Sequence, residues 1–85
     1  MTETFRDDAA AGRFVLETGG HQAFAIYRRQ GDTLVIDHVE AAPALRGTGA
    51  AGRLMEKVVA VAEAETRSIV PRCGYAASWL RRHQG

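Results

Sequence analysis

The sequence predicts an α/β domain of the α+β kind, with elements in the order β-β-β-α-β-α. Its sheet is mixed, an antiparallel meander followed by one parallel crossover. Three observations lead there. The opening half alternates with period two between glycine-bearing turns. The apolar period then lengthens at Leu54 to that of a helix. After that helix comes a short β-branched run that ends at Pro71, and a second helical segment.

Residues 1–12 mix polar side chains with Ala and Gly and read as a loose lead-in to a single domain over residues 13–85. Arg13–Thr18 is the first strand, closed by Gly19-Gly20, a pair that marks a hairpin between apolar runs. His21–Arg28 follows, with Ala23, Ala25 and Tyr27 on one face and Phe24 and Ile26 on the other. Gln30-Gly31-Asp32 turns the chain into a third strand, Thr33–Glu40. In the helix, Leu54, Val58, Val61 and Ala62 share one side, while Arg53, Glu56, Lys57, Glu63 and Arg67 lie largely on the other. Ser68-Ile69-Val70 is long enough to return parallel to the third strand. Gly74–Arg82 then forms the last helix, with Tyr75, Trp79 and Leu80 turned inward.

Composition narrows the function classes. A chain of 85 residues is near the lower limit for folding by core burial alone. The net charge of +1 gives no whole-chain case for nucleic-acid binding, and the Arg28-Arg29 and Arg81-Arg82 pairs read as solvated element ends. One cysteine leaves no internal disulfide, and the three histidines lack zinc-site spacing. No apolar run approaches the roughly 20 residues of a membrane span. The N-terminus, with Glu3, Asp7 and Asp8, lacks a signal-peptide pattern, so the expected location is cytoplasmic.

The most informative stretch is Pro43–Gly52, a glycine-rich passage from strand to helix. Such a turn gathers unpaired N–H groups and the positive end of the helix dipole at one point, which favours a phosphate. No Lys follows the glycines, which excludes a Walker A loop. Gly47, Gly49 and Gly52 satisfy GxGxxG. The chain around them opens with hairpins and offers Arg72 where a dinucleotide fold needs an acidic residue.

A wider pattern is more specific. Arg46-Gly47-Thr48-Gly49-Ala50-Ala51 fits [Gln/Arg]-x-x-Gly-x-[Gly/Ala] and resembles the acyl-CoA pyrophosphate loop of the GNAT superfamily of N-acyltransferases. Asp37–Gly49, and Ile69–Tyr75 with Trp79–His83, are similar to the His-Thr-Glu-Val-Pro-Pro, Arg-Gly-x-Gly and Pro-x-Cys segments of the small GNAT-like domain family. The similarity spans most of residues 13–83. It departs at Val39, where the family has Thr, and at Ala41-Ala42, where it has Val-Pro. The resemblance implies a minimal GNAT-like fold and an acetyl-CoA-dependent N-acetyltransferase acting on an amine. A non-catalytic acyl-CoA-binding module is the alternative. It also implies that Val39, Glu40, Arg46, Gly47, Thr48, Gly49, Ala50 and Ala51 hold the cofactor. The N-terminal helices that help cover the acceptor site in larger members have no counterpart in this sequence.

Acyl transfer needs a base for the amine, a donor for the carbonyl oxygen and a proton for the leaving thiolate. Cys73 follows Pro71-Arg72 and precedes a helix start, a setting that favours a thiolate. It is a candidate acyl acceptor or proton donor, and equally a small buried apolar residue. His38 and Glu40 are expected on the face of Leu34 and Ile36. Glu40, beside the loop, is the stronger candidate base, and His38 the stronger candidate for a packed, hydrogen-bonded histidine. Asp37 is expected on the opposite face as a partner for a surface charge. His21 is expected to be solvated. The acceptor itself is not named by any pattern, and the exposed sheet edges are compatible with a monomer or a weak homodimer.

Overall fold

The computed structural model describes residues 2–84, so that Met1 and Gly85, the outer limits of the lead-in and of the domain, lie outside the described residues. Strands β1 (Glu3–Asp8), β2 (Arg13–Thr18), β3 (His21–Gln30) and β4 (Thr33–Ala41) are followed by a short 3-10 turn, Pro43–Leu45. Helix α1 (Ala50–Ala64), strand β5 (Ser68–Pro71) and helix α2 (Gly74–Gln84) complete the chain. The sheet runs β1-β2-β3-β4-β5, antiparallel except for the β4–β5 pair. The expected mixed α+β order is observed with one strand added at the front.

That strand corrects the reading of residues 1–12 as a loose lead-in. Glu3 to Asp8 pair in register with Thr18 to Arg13 of β2. Phe5 stacks on Phe14 with ring centroids 5.7 Å apart, Asp7 takes a charge-assisted bond from Arg29, and Glu3 pairs with Arg53. Phe5 is the one large apolar residue of the segment, so no alternation marks it as a strand. Its partners are far away in sequence.

Both helices pack on one face of the sheet. Phe14, Leu16, Ala23, Ala25, Leu34 and Ile36 point towards them and form one buried cluster with Leu54, Met55, Val58, Ala76 and Trp79. Each large apolar side chain removed from water there contributes roughly 1.5–3 kcal/mol. The other face carries Arg13, Ile26, Arg28, His38, Glu40 and Val70, and among the described residues no helix covers it.

One irregularity decides what the sheet presents on each side. Ile26 pairs with His38 and Tyr27 pairs with Ile36, so Asp37 is an extra residue in β4. Such a bulge reverses the inside–outside alternation beyond it. Leu34 and Ile36 face the helices, but so then do Val39 and Ala41, which oppose the buried Ala25 and Ala23. His38 and Glu40 are thereby turned to the open face. The expectation that they share a face with Leu34 and Ile36 is overturned, because the period-two rule assumes an unbroken strand.

The candidate acyl-CoA site

The passage from β4 into α1 is shaped by glycine. Gly47 and Gly49 have φ of 79° and 82°, values that other residues adopt at a cost. A Cβ on Gly49 would stand 3.3 Å from Arg53 Nη1. Gly49 is the N-cap of α1, so no side chain caps the helix, and the first turn holds no acidic residue. The Ala50 N–H points to Thr48 Oγ1 at 3.3 Å, and the Arg53 N–H begins the regular ladder by donating to the Gly49 carbonyl. The N–H groups of Ala51 and Gly52 lie between them with no acceptor among the described residues. The helix therefore starts with a bare, positively polarised end.

That end opens into a cleft of about 290 Å³ lined by Ala41, Leu45, Arg46, Gly47, Gly49, Ala50, Ala51, Gly52 and Tyr75. Of the residues expected to hold a cofactor, Arg46, Gly47, Gly49, Ala50 and Ala51 meet here. The Arg46 side chain is exposed and makes no hydrogen bond among the described residues. Thr48 lies on the other side of the loop, where its hydroxyl donates to the Leu45 carbonyl. It lines a second cleft of about 320 Å³ with Thr18, Gly19, His21, Ala44, Leu45 and Arg53. His21 is exposed, as expected. Val39 is half-buried against the core two residues before Ala41.

A second feature meets the cleft from the sheet. Pairing between β4 and β5 runs from Thr33↔Ser68 to Ile36↔Pro71 and ends as the Arg72 N–H donates to the Ile36 carbonyl at 2.9 Å. Beyond that point β4 continues to Ala41, while the other chain turns away into α2. The parallel pair is thus splayed at the same end of the sheet as the bare helix terminus. In such a splay, backbone groups of β4 on the β5 side are left without a strand partner.

The candidate chemical groups are divided between two sides of this opening. Cys73 is half-buried against the core, and its carbonyl accepts the Ala77 N–H at 3.0 Å, starting α2. It lines neither cleft beside the loop. His38 Nε2 and Glu40 Oε1 are 3.1 Å apart on the open face, with side chains about half exposed. Asp37 lies on that face too and takes a two-pronged bond from Arg28, which matches its expected role as a surface charge partner. At the end of α2, His83 stacks on Trp79 at 4.0 Å and bonds to its carbonyl, a packing and capping role.

Tyr75 is the site residue that sequence reasoning assigned only to packing. Its ring lines the cleft, its hydroxyl stands 4.0 Å from where a Cβ on Gly52 would be, and Trp79 Nε1 is 3.4 Å from that point. Partial burial holds the phenol above its ordinary range, against the opposing pull of Arg82. Like any tyrosine it is protonated at neutral pH. Its inward place on the last helix was legible in the sequence, whereas the turn of α1 that it faces is set by packing between the two helices.

These features define a class of protein: a small α+β domain with an anion-ready helix end beside a splayed parallel strand pair. A family model described as GCN5-related N-acetyl-transferase matches residues 13–85. The chain belongs to this family, and its architecture is a minimal form of the GNAT fold. No curated protein was matched. Strand β1 lies outside the matched residues.

Proposed function

We propose that this chain binds acetyl-CoA at the Arg46–Gly52 loop and transfers the acetyl group to an amine. The observation that carries the reading is the bare α1 terminus opening into a cleft at the β4–β5 splay. The residues present suit a CoA-type group: free N–H donors for a pyrophosphate, glycines that let it approach, and an apolar Ala41–Leu45 wall for an aliphatic arm.

Bound acetyl-CoA supplies an activated thioester. The chain supplies the rest. Arg46 adds positive charge beside the loop. Backbone groups of β4 near Val39 are placed to orient an extended arm and to donate to a carbonyl oxygen. Tyr75 holds a proton on its hydroxyl within the cleft and is the best-placed donor to a leaving thiolate. Cys73 remains a candidate to take the acetyl group onto its Sγ before the amine receives it. Glu40, with His38 hydrogen-bonded to it, is positioned to take the amine proton from the open face of the sheet. The bulge places these groups on the side opposite the loop, so donor and acceptor reach the splay from different faces.

Thermal melting with and without acetyl-CoA, followed by thiol release with an amine acceptor, tests the proposal. Acetyl-CoA should raise Tm, and thiol release should depend on added amine. Cys73→Ala should abolish release while the Tm shift persists, and undiminished turnover would remove Cys73 from the mechanism. A Tm shift without thiol release would favour the binding-module reading. No shift at all would overturn both.

A further inference from the structure

The open face of the sheet carries a cation whose ion pair is long and exposed. Arg72 immediately follows the last paired residue of β5 and precedes Cys73. By strand alternation its side chain is on the open face with Val70, and its guanidinium stands beside Asp37. Asp37 is already taken. Arg28 binds both carboxylate oxygens, Nε to Oδ2 at 2.7 Å and Nη2 to Oδ1 at 2.9 Å. Arg72 Nε is left 3.9 Å from Oδ1, too far for a hydrogen bond, and its side chain is 66% exposed. Arg28, Arg29 and Arg53 each close two-pronged bonds to carboxylates, Arg6 reaches Glu17, and Arg13 on the same face lies over the Phe24 ring at 5.0 Å. Among the described residues the Arg72 side chain makes no hydrogen bond, and it stands at the mouth of the splay.

The opposite lip carries the opposite charge. Glu40 is four residues beyond Ile36, to whose carbonyl the Arg72 N–H is bonded. On β3 the partners of Ile36 and Glu40, Tyr27 and Phe24, are only three residues apart, and Arg72 is one residue beyond Ile36's partner Pro71, so at about 3.3 Å per strand residue Arg72 and Glu40 are separated along the sheet by roughly 7 Å. A gap of that size is on the scale of a small molecule. An acceptor lying across it would meet a carboxylate at one end and a planar, bidentate cation at the other.

Resting on the acetyltransferase reading above, we propose that Arg72 is a specificity residue that binds a carboxylate of the acceptor. The acceptor class is then a small amino acid, with its amine directed to Glu40 and the splay and its carboxylate on the Arg72 fork. A guanidinium–carboxylate pair is two-pronged and charge-assisted, and its loss in one partner leaves the other's charge unanswered. Because no helix among the described residues covers the open face, this contact would carry much of the acceptor's orientation.

The test uses the full chain with acetyl-CoA and pairs of acceptors matched in amine basicity. β-Alanine is compared with propanolamine, and γ-aminobutyrate with n-butylamine. The wild-type chain should prefer the carboxylated member of a pair by about tenfold or more in kcat/KM. Arg72→Gln should erase that preference by lowering only the carboxylated rates, and Arg72→Lys should restore part of it. Equal use of both members by the wild type, or an equal fall for both in Arg72→Gln, would overturn the proposal. A readout independent of turnover is the Arg72 Nε–H resonance of the CoA-saturated chain as β-alanine is added. A shift there supports the contact, and an unmoved resonance sinks it. A chain that acetyl-CoA does not stabilise fails earlier, at the acetyltransferase reading itself.

Discussion

At its C-terminal end helix α1 closes nearly every polar group; at its N-terminal end it leaves them open. The C-terminal finish is a Schellman turn. The Arg67 N–H returns to the Ala62 carbonyl at 2.8 Å, and the Thr66 N–H to Glu63 at 3.1 Å. Around it Glu65 binds both Arg29 and Arg67, Arg29 also reaches Asp7 and the Tyr27 hydroxyl, and Arg67 donates to the Gly31 carbonyl. The Arg29 guanidinium lies over the Tyr27 ring at 5.1 Å. The network ties β1, β3 and α1 together. The N-terminal end has no side-chain cap, an N-cap glycine at φ 82° and a cleft in front of it. A glycine N-cap costs only about a few tenths of a kcal/mol relative to a capping side chain. The difference separates two uses of the same helix: one end secures the sheet, and the other stays ready for an anion.

The sharpest way to break the comparison is at the open end. Gly49→Val places a β-branched side chain at a left-handed φ and 3.3 Å from Arg53 Nη1. Backbone strain of roughly 1–3 kcal/mol should follow. The loop should yield before the helix does, because its N–H groups have few other bonds to hold them. Acetyl-CoA affinity is expected to fall at least about tenfold, while the far-ultraviolet spectrum stays that of the native fold. Calorimetric titration checks this. An unchanged affinity would mean that the loop conformation does not matter to binding.

Breaking the closed end should do the reverse. Arg29→Met removes the guanidinium from Asp7, Glu65 and Tyr27 and should lower stability by roughly 1–3 kcal/mol in urea unfolding. Acetyl-CoA affinity of the folded fraction should not change. The same end should govern acid stability. The Arg29 bond, helped by Arg67, holds the Glu65 carboxyl down to about 2 from its usual 4.5. The unfolded chain therefore takes up this proton first. The stabilisation is present above pH 4.5 and is lost as pH falls from 4.5 towards 2. Glu65→Gln should flatten that part of the stability–pH curve, and an unaltered curve would place the acid-sensitive pair elsewhere.

How much of this was legible in the sequence follows the same division. The open end was readable because its determinants are local: Gly47, Gly49 and the strand-to-helix transition are contiguous, and no side chain needed to be placed. The closed end was not, because Asp7, Arg29 and Glu65 converge from three elements that nothing in their spacing connects. For the same reason β1 read as a loose lead-in, since its strand character rests on Glu3, Phe5 and Asp7 reaching partners nine or more residues away. The faces of β4 were misread for a different reason. A bulge at Asp37 is a property of pairing between two strands, and nothing in β4 alone announces it. Tyr75 fell between these cases, since its helix was found but the cleft it faces was not.

The smallest effect is expected where the closed end itself carries strain. Thr66 is the only non-glycine among the described residues with positive φ, at 56°. It occupies the position after the helix cap where glycine is customary, and its branched Cβ makes that conformation costly. The turn nevertheless closes, because the Arg67 and Thr66 N–H bonds and the Glu65 network over-determine it. Thr66→Gly should relieve the strain but also enlarge the entropy of the unfolded chain, so the two changes offset in part. A net gain of roughly 0.5–1 kcal/mol is expected in urea unfolding, with acetyl-CoA affinity unaltered. A loss of stability would show that the Thr66 side chain contributes more at this turn than its backbone costs. A change in affinity would show that the two ends of α1 are coupled, and that the division of labour between them is less clean than their hydrogen bonds suggest.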